Sequence, residues 1–269
     1  MSMLPFFLEG PSGSLFCNFF EPARATGKFI VHVPAFAEEM NKSRRMVANQ
    51  ARQWAASGMG VLLFDFYGTG DSEGEFRQAS WRAWKADLTA VLRWVHEEQG
   101  GQVSLWGLRL GGLLALDYLS SDAPRCHNLI LWQPLLNGNT ALTQFLRIGV
   151  AASLFGKADQ GSATTKAFKE RLANGENVEL AGYELNPDLA NPMLELNVLK
   201  MQLPMLEAIY LSEISNSATN LLSPQFQNLA DAWQNQGQVV KARKVQGEQF
   251  WATQEIAEAP ALISSMVDL

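Results

Sequence analysis

An α/β fold is predicted, a mostly parallel sheet with helices on both faces and a helical cap inserted late in the chain, and three observations predict it. Short apolar runs alternate with helical patterns from Lys28 to Trp132, and parallel neighbours need crossover connections of that kind. The run Phe29-Ile30-Val31 is continuously apolar, as in strands covered on both faces. From Pro134 to Leu203 the rhythm breaks into helical patterns with no convincing core strand, and strand-like runs resume afterwards.

In chain order, Phe6-Phe7-Leu8 and Leu15 to Phe20 flank the turn signal Gly10-Pro11-Ser12-Gly13 and predict an antiparallel hairpin. Lys28 to Val33 is a strand stopped by Pro34, and Met40 to Ser57 is a helix carrying Met46, Val47 and Trp54 at helical spacing. Then come a strand from Met59 to Asp65, a glycine-rich turn from Gly68 to Gly74, a helix from Trp81 to Glu98 and a strand from Gln102 to Trp106. A helix from Leu110 to Leu119 and a strand from Leu129 to Trp132 follow. The insertion carries helical patterns at Thr140 to Phe155, Thr164 to Ala173 and Asn186 to Val198, and the polar stretch Lys157 to Ser162 predicts local mobility. Strands at Glu207 to Ile214 and Val239 to Val245 enclose a helix from Pro224 to Gln234, and an amphipathic helix from Thr253 to Met266 closes the chain. The expected organisation is core 1–133, cap 134–203 and core 204–269.

With 269 residues, 47% apolar and 18% charged, the chain has enough apolar surface for a large core. Its 21 Lys+Arg against 27 Asp+Glu give −6 and a pI near 5.2, which offers no footprint for nucleic acid or anionic lipid. Met1 to Phe20 lacks a basic region and is interrupted by Glu9, and Ala141 to Phe155 is too short to span a bilayer, so neither a secretory signal nor membrane insertion is expected. Two cysteines, Cys17 and Cys126, make no disulfide framework or metal-ligand spacing and suit a reducing cytoplasm.

The chemistry concentrates in Trp106-Gly107-Leu108-Arg109-Leu110-Gly111-Gly112, with small residues two before and two after Arg109. That is the spacing of a nucleophile elbow, a tight strand-to-helix turn that lifts its apex above the sheet. Upstream, Asp65-Phe66-Tyr67-Gly68-Thr69-Gly70-Asp71-Ser72 follows a D-x-x-G-x-G-x-S pattern, and His32-Val33-Pro34-Ala35-Phe36 closes another strand. Together these resemble the α/β-hydrolase superfamily, in element order over the whole chain and most specifically over residues 28 to 120. Ala35 to Lys42, Trp106 to Gly111 and Gln249-Phe250-Trp251 look more narrowly like the type 2 hydrolases associated with the exosortase A system, bacterial proteins encoded near exopolysaccharide and protein-sorting genes.

Hydrolytic members of the superfamily place Ser, Cys or Asp at the apex, then a later carboxylate and a terminal His. Here the apex is Arg109, which has no lone pair for attack. The resemblance expects the His just after the Val239 to Val245 strand, where Gln249 stands, and the acid where Ser215-Asn216-Ser217 stands, with Glu213 the nearest carboxylate. His127 begins its strand, about 20 Å from the carboxyl edge, and His96 ends a helix at that same far edge. His32 lies near the oxyanion loop but reads best as a buried strand histidine. The loop and pocket set is His32, Ala35, Phe36, Glu38, Glu39 and Leu110.

Asp65 and Asp71 read as turn-holding acids and Ser72 as a turn or cap residue, the tryptophans as packing, and the cysteines as small buried hydrophobes. Glu38 and Glu39 read as carboxylates at the positive end of a helix, with a competing pairing of one of them to Arg109. An unpaired Arg109 at a helix start would be costly, so a partner is expected: Glu38, Glu39 or Glu213, or else a ligand carboxylate or phosphate. Two functions follow from different classes. One is a non-catalytic binding or accessory protein, open to a small anionic ligand at Arg109 or a protein partner; the other is a hydrolase of an ester or acyl substrate using water activated by Glu38, Glu39 or His32. No metal or cofactor is expected in either.

Overall fold

The computed structural model describes residues 2–122, 125–155 and 164–266. The stretch Lys157 to Ser162, for which the sequence predicts mobility, lies outside the described residues.

Strands β1 (Met3–Glu9) and β2 (Ser14–Phe20) form the expected antiparallel hairpin. Next come β3 (Lys28–Val33), helix α1 (Glu38–Ala56), β4 (Gly60–Phe64), α2 (Trp81–Trp94), β5 (Gln102–Leu108), α3 (Leu110–Asp122) and β6 (Asn128–Trp132). Glu38 and Glu39 form the first turn of α1 rather than preceding it. At the end of α2 the backbone widens into a π turn over Val95–Gln99, and Gly100 ends it at φ 67°.

Between β6 and the next core strand stand α4 (Gly138–Phe155), α5 (Thr165–Ala173), the small hairpin β7 (Val178–Leu180) and β8 (Tyr183–Leu185), and α6 (Pro187–Leu194). The chain then returns to the sheet with β9 (Ala208–Ser215), α7 (Pro224–Asn235), β10 (Val240–Gln246) and α8 (Pro260–Ser264). The expected long closing helix from Thr253 is a correction: helix begins only at Pro260, which stands at the first helical position, where its missing N–H is harmless and its ring meets no preceding turn.

The eight strands run in the order β1-β2-β4-β3-β5-β6-β9-β10. Pairing is antiparallel for β1 with β2 and β2 with β4, and parallel from β4 to β10. Side chains alternate across each strand. Val31 and Val33 of β3 therefore enter the larger core with Trp84 and Leu88 of α2 and Leu113 of α3, while Ile30 packs with Met46 and Trp54 of α1 and Leu262 of α8. Helices thus cover both faces. Five residues of β3 are buried, which is why its sequence shows no alternation. The parallel strands point their carboxyl ends toward one edge, and the turns there carry the candidate site.

No helix among the described residues is long and apolar enough to cross a membrane. Cys17 is fully buried, Cys126 only partly so, and burial pushes both thiols up to about 12.

Candidate site at the β5–α3 turn

Arg109 stands between β5 and α3 with φ 54°, a left-handed conformation that L-residues rarely adopt. Its neighbours explain how the chain tolerates this. A Cβ on Gly107 would lie 2.5 Å from Gly112 Cα, and one on Gly111 would lie 2.2 Å from Val33 O, so both positions exclude a side chain. Arg109 N–H donates to Trp132 O at 3.1 Å, and its carbonyl accepts from Gly112 N at 3.1 Å and Leu135 N at 3.2 Å. The apex is fixed to β6, to α3 and to the segment entering α4.

The guanidinium pairs with Glu39, one of the alternatives that the sequence leaves open. Nε donates to both Glu39 oxygens at 3.2 Å and Nη2 to Oε1 at 3.0 Å, while Nη2 reaches Gln144 Oε1 of α4 at 3.4 Å. Its Cζ lies 5.2 Å from the Trp251 ring centroid, within cation–π range. The side chains are 12% exposed for Arg109 and 28% for Glu39. Glu39 is delivered by Ala37, which enters α1 at φ 51°. Its place in the first turn also gives the carboxylate a favourable helix dipole. Glu38 turns elsewhere and accepts from the Tyr183 hydroxyl at 2.9 Å; burial and that carboxylate push the phenol up to about 12.

Around this pair lie two adjoining spaces that share Glu39, Leu135 and Gln144. One is small and apolar, about 90 Å³, walled by Phe36, Leu110, Phe145 and Tyr183. The other, about 520 Å³, is polar and holds Arg109 with Gln133, Gln225, Gln249 and Trp251. Phe36, Glu38, Glu39 and Leu110 line the first space, and Gln249 lines the second beside Arg109.

Several expectations need correction. His32 and Ala35 do not line this site; they line a cavity on the α1 side of the sheet, because position 32 alternates with Val31 and Val33 and shares the side of Ile30. His32 is 4% exposed and its Nδ1 lies 3.0 Å from Trp106 O. Burial, aided by the Arg44 charge, lowers its pKa to about 3 against the carbonyl contact, so it is a neutral strand histidine. Glu213 is not a partner of Arg109: its Oε2 accepts from Ser223 N at 2.7 Å, just before α7. His127 and His96 sit at the amino end of β6 and near the end of α2, contacting Glu207 Oε1 at 3.3 Å and Leu92 O at 2.7 Å.

The turn after β4 is held by Asp65 and Ser72 as read, whereas Asp71, read as a second turn-holding acid, is a correction. Asp65 binds Arg44 Nη2 at 3.2 and 3.1 Å and accepts from Asp71 N at 3.1 Å. Ser72 Oγ donates to Asp65 O and accepts from Phe16 N. Asp71 is exposed and contributes its N–H rather than its carboxylate. Sequence reasoning missed Gln144, Gln133, Gln225 and the packing of Trp251 against Arg109. The first three carry no local signal, whereas Trp251 stands two residues past Gln249.

The family model described as serine aminopeptidase, S33, matches residues 29–209, more than half of the chain. Among solved structures, the chain is similar to Est1E from Butyrivibrio proteoclasticus with ferulic acid bound, at 12% identity over 97% of this chain and 95% of that one, with a TM-score of 0.67. It is also similar to the α/β hydrolase GrgF from Penicillium sp. sh18, at 18% identity over 100% and 97%, with a TM-score of 0.65. XC6422 from Xanthomonas campestris, a member of the α/β serine hydrolases without a lid, matches at 15% identity over 98% and 92%, with a TM-score of 0.57. At these identities the likeness is one of fold, the α/β-hydrolase fold. No curated protein sequence matches the chain.

Proposed function

The chain belongs to the serine aminopeptidase S33 family of α/β hydrolases, and from that premise we propose that it is a pseudoenzyme, a binding or accessory protein whose elbow presents a guanidinium instead of a nucleophile. The observation that carries this is the Arg109–Glu39 pair: the apex has no attacking atom and is held by a carboxylate of the same chain. Gln249, standing where the superfamily's His is expected, takes no proton at neutral pH. Glu213, the nearest candidate acid, is occupied before α7.

The finer kinship we propose is with the exosortase A-associated type 2 hydrolases, in the bacterial cytoplasm, with residues 134–203 serving as a cap over the Arg109 site. The cap supplies Gln144, Phe145 and Tyr183 to that site. The competing reading, hydrolysis of an ester or acyl substrate by activated water, retains Glu38 and Glu39 as bases. It loses His32, which faces the other side of the sheet.

Purified protein is expected neither to turn over short-chain nitrophenyl esters nor to be labelled by fluorophosphonate probes. Stoichiometric labelling of any serine, or ester turnover abolished by Glu39→Gln, overturns the proposal.

A further inference from the structure

On the α1 side of the sheet lies a second cavity of about 210 Å³, which shares no lining residue with the Arg109 site. Its walls are mostly apolar: Phe16 and Phe20 of β2, Leu63 and Phe64 of β4, and Val47 and Ala48 of α1. Met3, 48% exposed, stands at its rim. An apolar cavity of ~150 Å³ suffices to take up benzene, so a molecule of about six to eight carbons fits this one.

Five polar side chains also face it, and three of them are already satisfied. Ser43 Oγ donates to Glu39 O at 2.6 Å, and Arg44 and Asp65 bind each other. The other two are Asn18 and His32. Asn18 Oδ1 is buried and has no hydrogen-bond partner among the described residues. For His32, a carbonyl oxygen only accepts, so the Nδ1 facing Trp106 O carries the ring hydrogen. Nε2 is then a bare lone pair, and the ring stays neutral near pH 7. Strand alternation puts Asn18 on the side of Phe16 and Phe20, and His32 on the side of Ile30, so both point toward α1. The cavity therefore presents one buried acceptor without a donor, Asn18 Oδ1, beside the lone pair of His32 Nε2, and an unmet buried acceptor costs about 1–3 kcal/mol.

We propose that this cavity is a binding site for a small neutral amphiphile, an apolar body with one hydrogen-bond-donating head such as an alcohol, whose donor meets Asn18 Oδ1 or His32 Nε2. Two acceptors repel a carboxylate head. Arg44 and Asp65, which both line the cavity, pair with each other and together carry no net charge, so an ammonium head finds no free counter-ion there.

Benzyl alcohol, toluene, benzoate and benzylamine share one body and differ in the head, which makes them the probes. Binding to the full chain is read by tryptophan emission, since the Trp106 ring lies 4.2 Å from that of His32, and by the ¹⁵N shift of His32 Nε2. Benzyl alcohol is expected to bind about tenfold more tightly than toluene, with benzoate and benzylamine weaker than both. Asn18→Leu should narrow that tenfold ratio, and Ala48→Trp, or the milder Ala48→Leu if the first fails to fold, should weaken all four by filling the α1 wall. The proposal falls if benzyl alcohol shows no saturable binding below about 10 mM, if toluene binds as well as it does, if benzoate or benzylamine binds best, or if binding survives both Ala48 variants unchanged.

Discussion

Two arginine–carboxylate pairs tie α1 to the carboxyl ends of the strands flanking β3, and their polarity is reversed. After β5 the turn supplies the cation, Arg109, and α1 supplies Glu39. After β4 the turn supplies the acid, Asp65, and α1 supplies Arg44. The distances are alike, 3.0 and 3.1 Å, but burial is not. Asp65 is 5% exposed with a half-exposed Arg44, whereas in the β5 pair the arginine is the deeper partner. Geometry alone does not rank the two; the cost of breaking each depends on which charge is left behind and where it sits.

The largest effect is expected at Glu39. Glu39→Ala strands Arg109 at the amino end of α3, where the dipole disfavours a cation, and should cost about 3 kcal/mol in chemical denaturation. Phosphate should then raise the melting temperature of Glu39→Ala but not of the wild type. A variant as stable as wild type, or insensitive to phosphate, would break the comparison. Arg109→Ala should cost less than Glu39→Ala, because the Glu39 left behind is partly exposed and sits at the favourable end of α1.

Asp87 sharpens the comparison by being an acid of α2 that meets the same β4 turn and has no cationic partner among the described residues. It is fully buried and accepts from Tyr67 N at 2.9 Å, while its other oxygen has no partner among the described residues. Burial raises its pKa to about 6 against that hydrogen bond. A carboxyl raised on folding binds its proton more tightly in the native state, so its contribution is full below about pH 4 and is lost as pH rises through 6. The stability of Asp87→Asn relative to wild type should therefore increase from pH 4 to pH 8, by about 2–3 kcal/mol. A difference independent of pH would show that Asp87 does not titrate there.

Arg44→Ala should cost about 1–2 kcal/mol, discounted because the guanidinium is half solvated and Asp65 keeps the Asp71 N–H. Equal losses for Arg44→Ala and Glu39→Ala would erase the distinction between the pairs. The smallest effect concerns the backbone: at φ 54° Arg109→Gly should be about 1 kcal/mol more stable than Arg109→Ala, by thermal melts.

Much of this was legible in sequence because it is local. β3 begins and ends where the apolar run and Pro34 put it, and the small residues around Arg109 announced its turn. What escaped depends on distance or on face. Nothing local decides that Glu39, rather than Glu38 or Glu213, meets a residue 70 positions away. Placing His32 beside the oxyanion loop respected its position along the strand but not its side of the sheet. The hairpin β7–β8 was overlooked although Val178-Glu179-Leu180 and Tyr183-Glu184-Leu185 alternate about Ala181-Gly182. Both turn residues have positive φ, 50° and 85°, as such two-residue turns require.

The glycines beside Arg109 separate shape from chemistry. Gly107 and Gly111 make the bend possible by admitting backbone at 2.5 and 2.2 Å from where a Cβ would stand, and neither touches what the apex does. Whatever L-residue sits at position 109 bears the same backbone strain. The apex is thus an interchangeable fitting in a fixed socket, so a change of its side chain need not move the frame. Arg109→Ser would place a hydroxyl at the apex with Gln249, which cannot accept its proton, across the hollow. Reinstalling a nucleophile and its base here takes both Arg109→Ser and Gln249→His, and either change alone should leave the elbow silent.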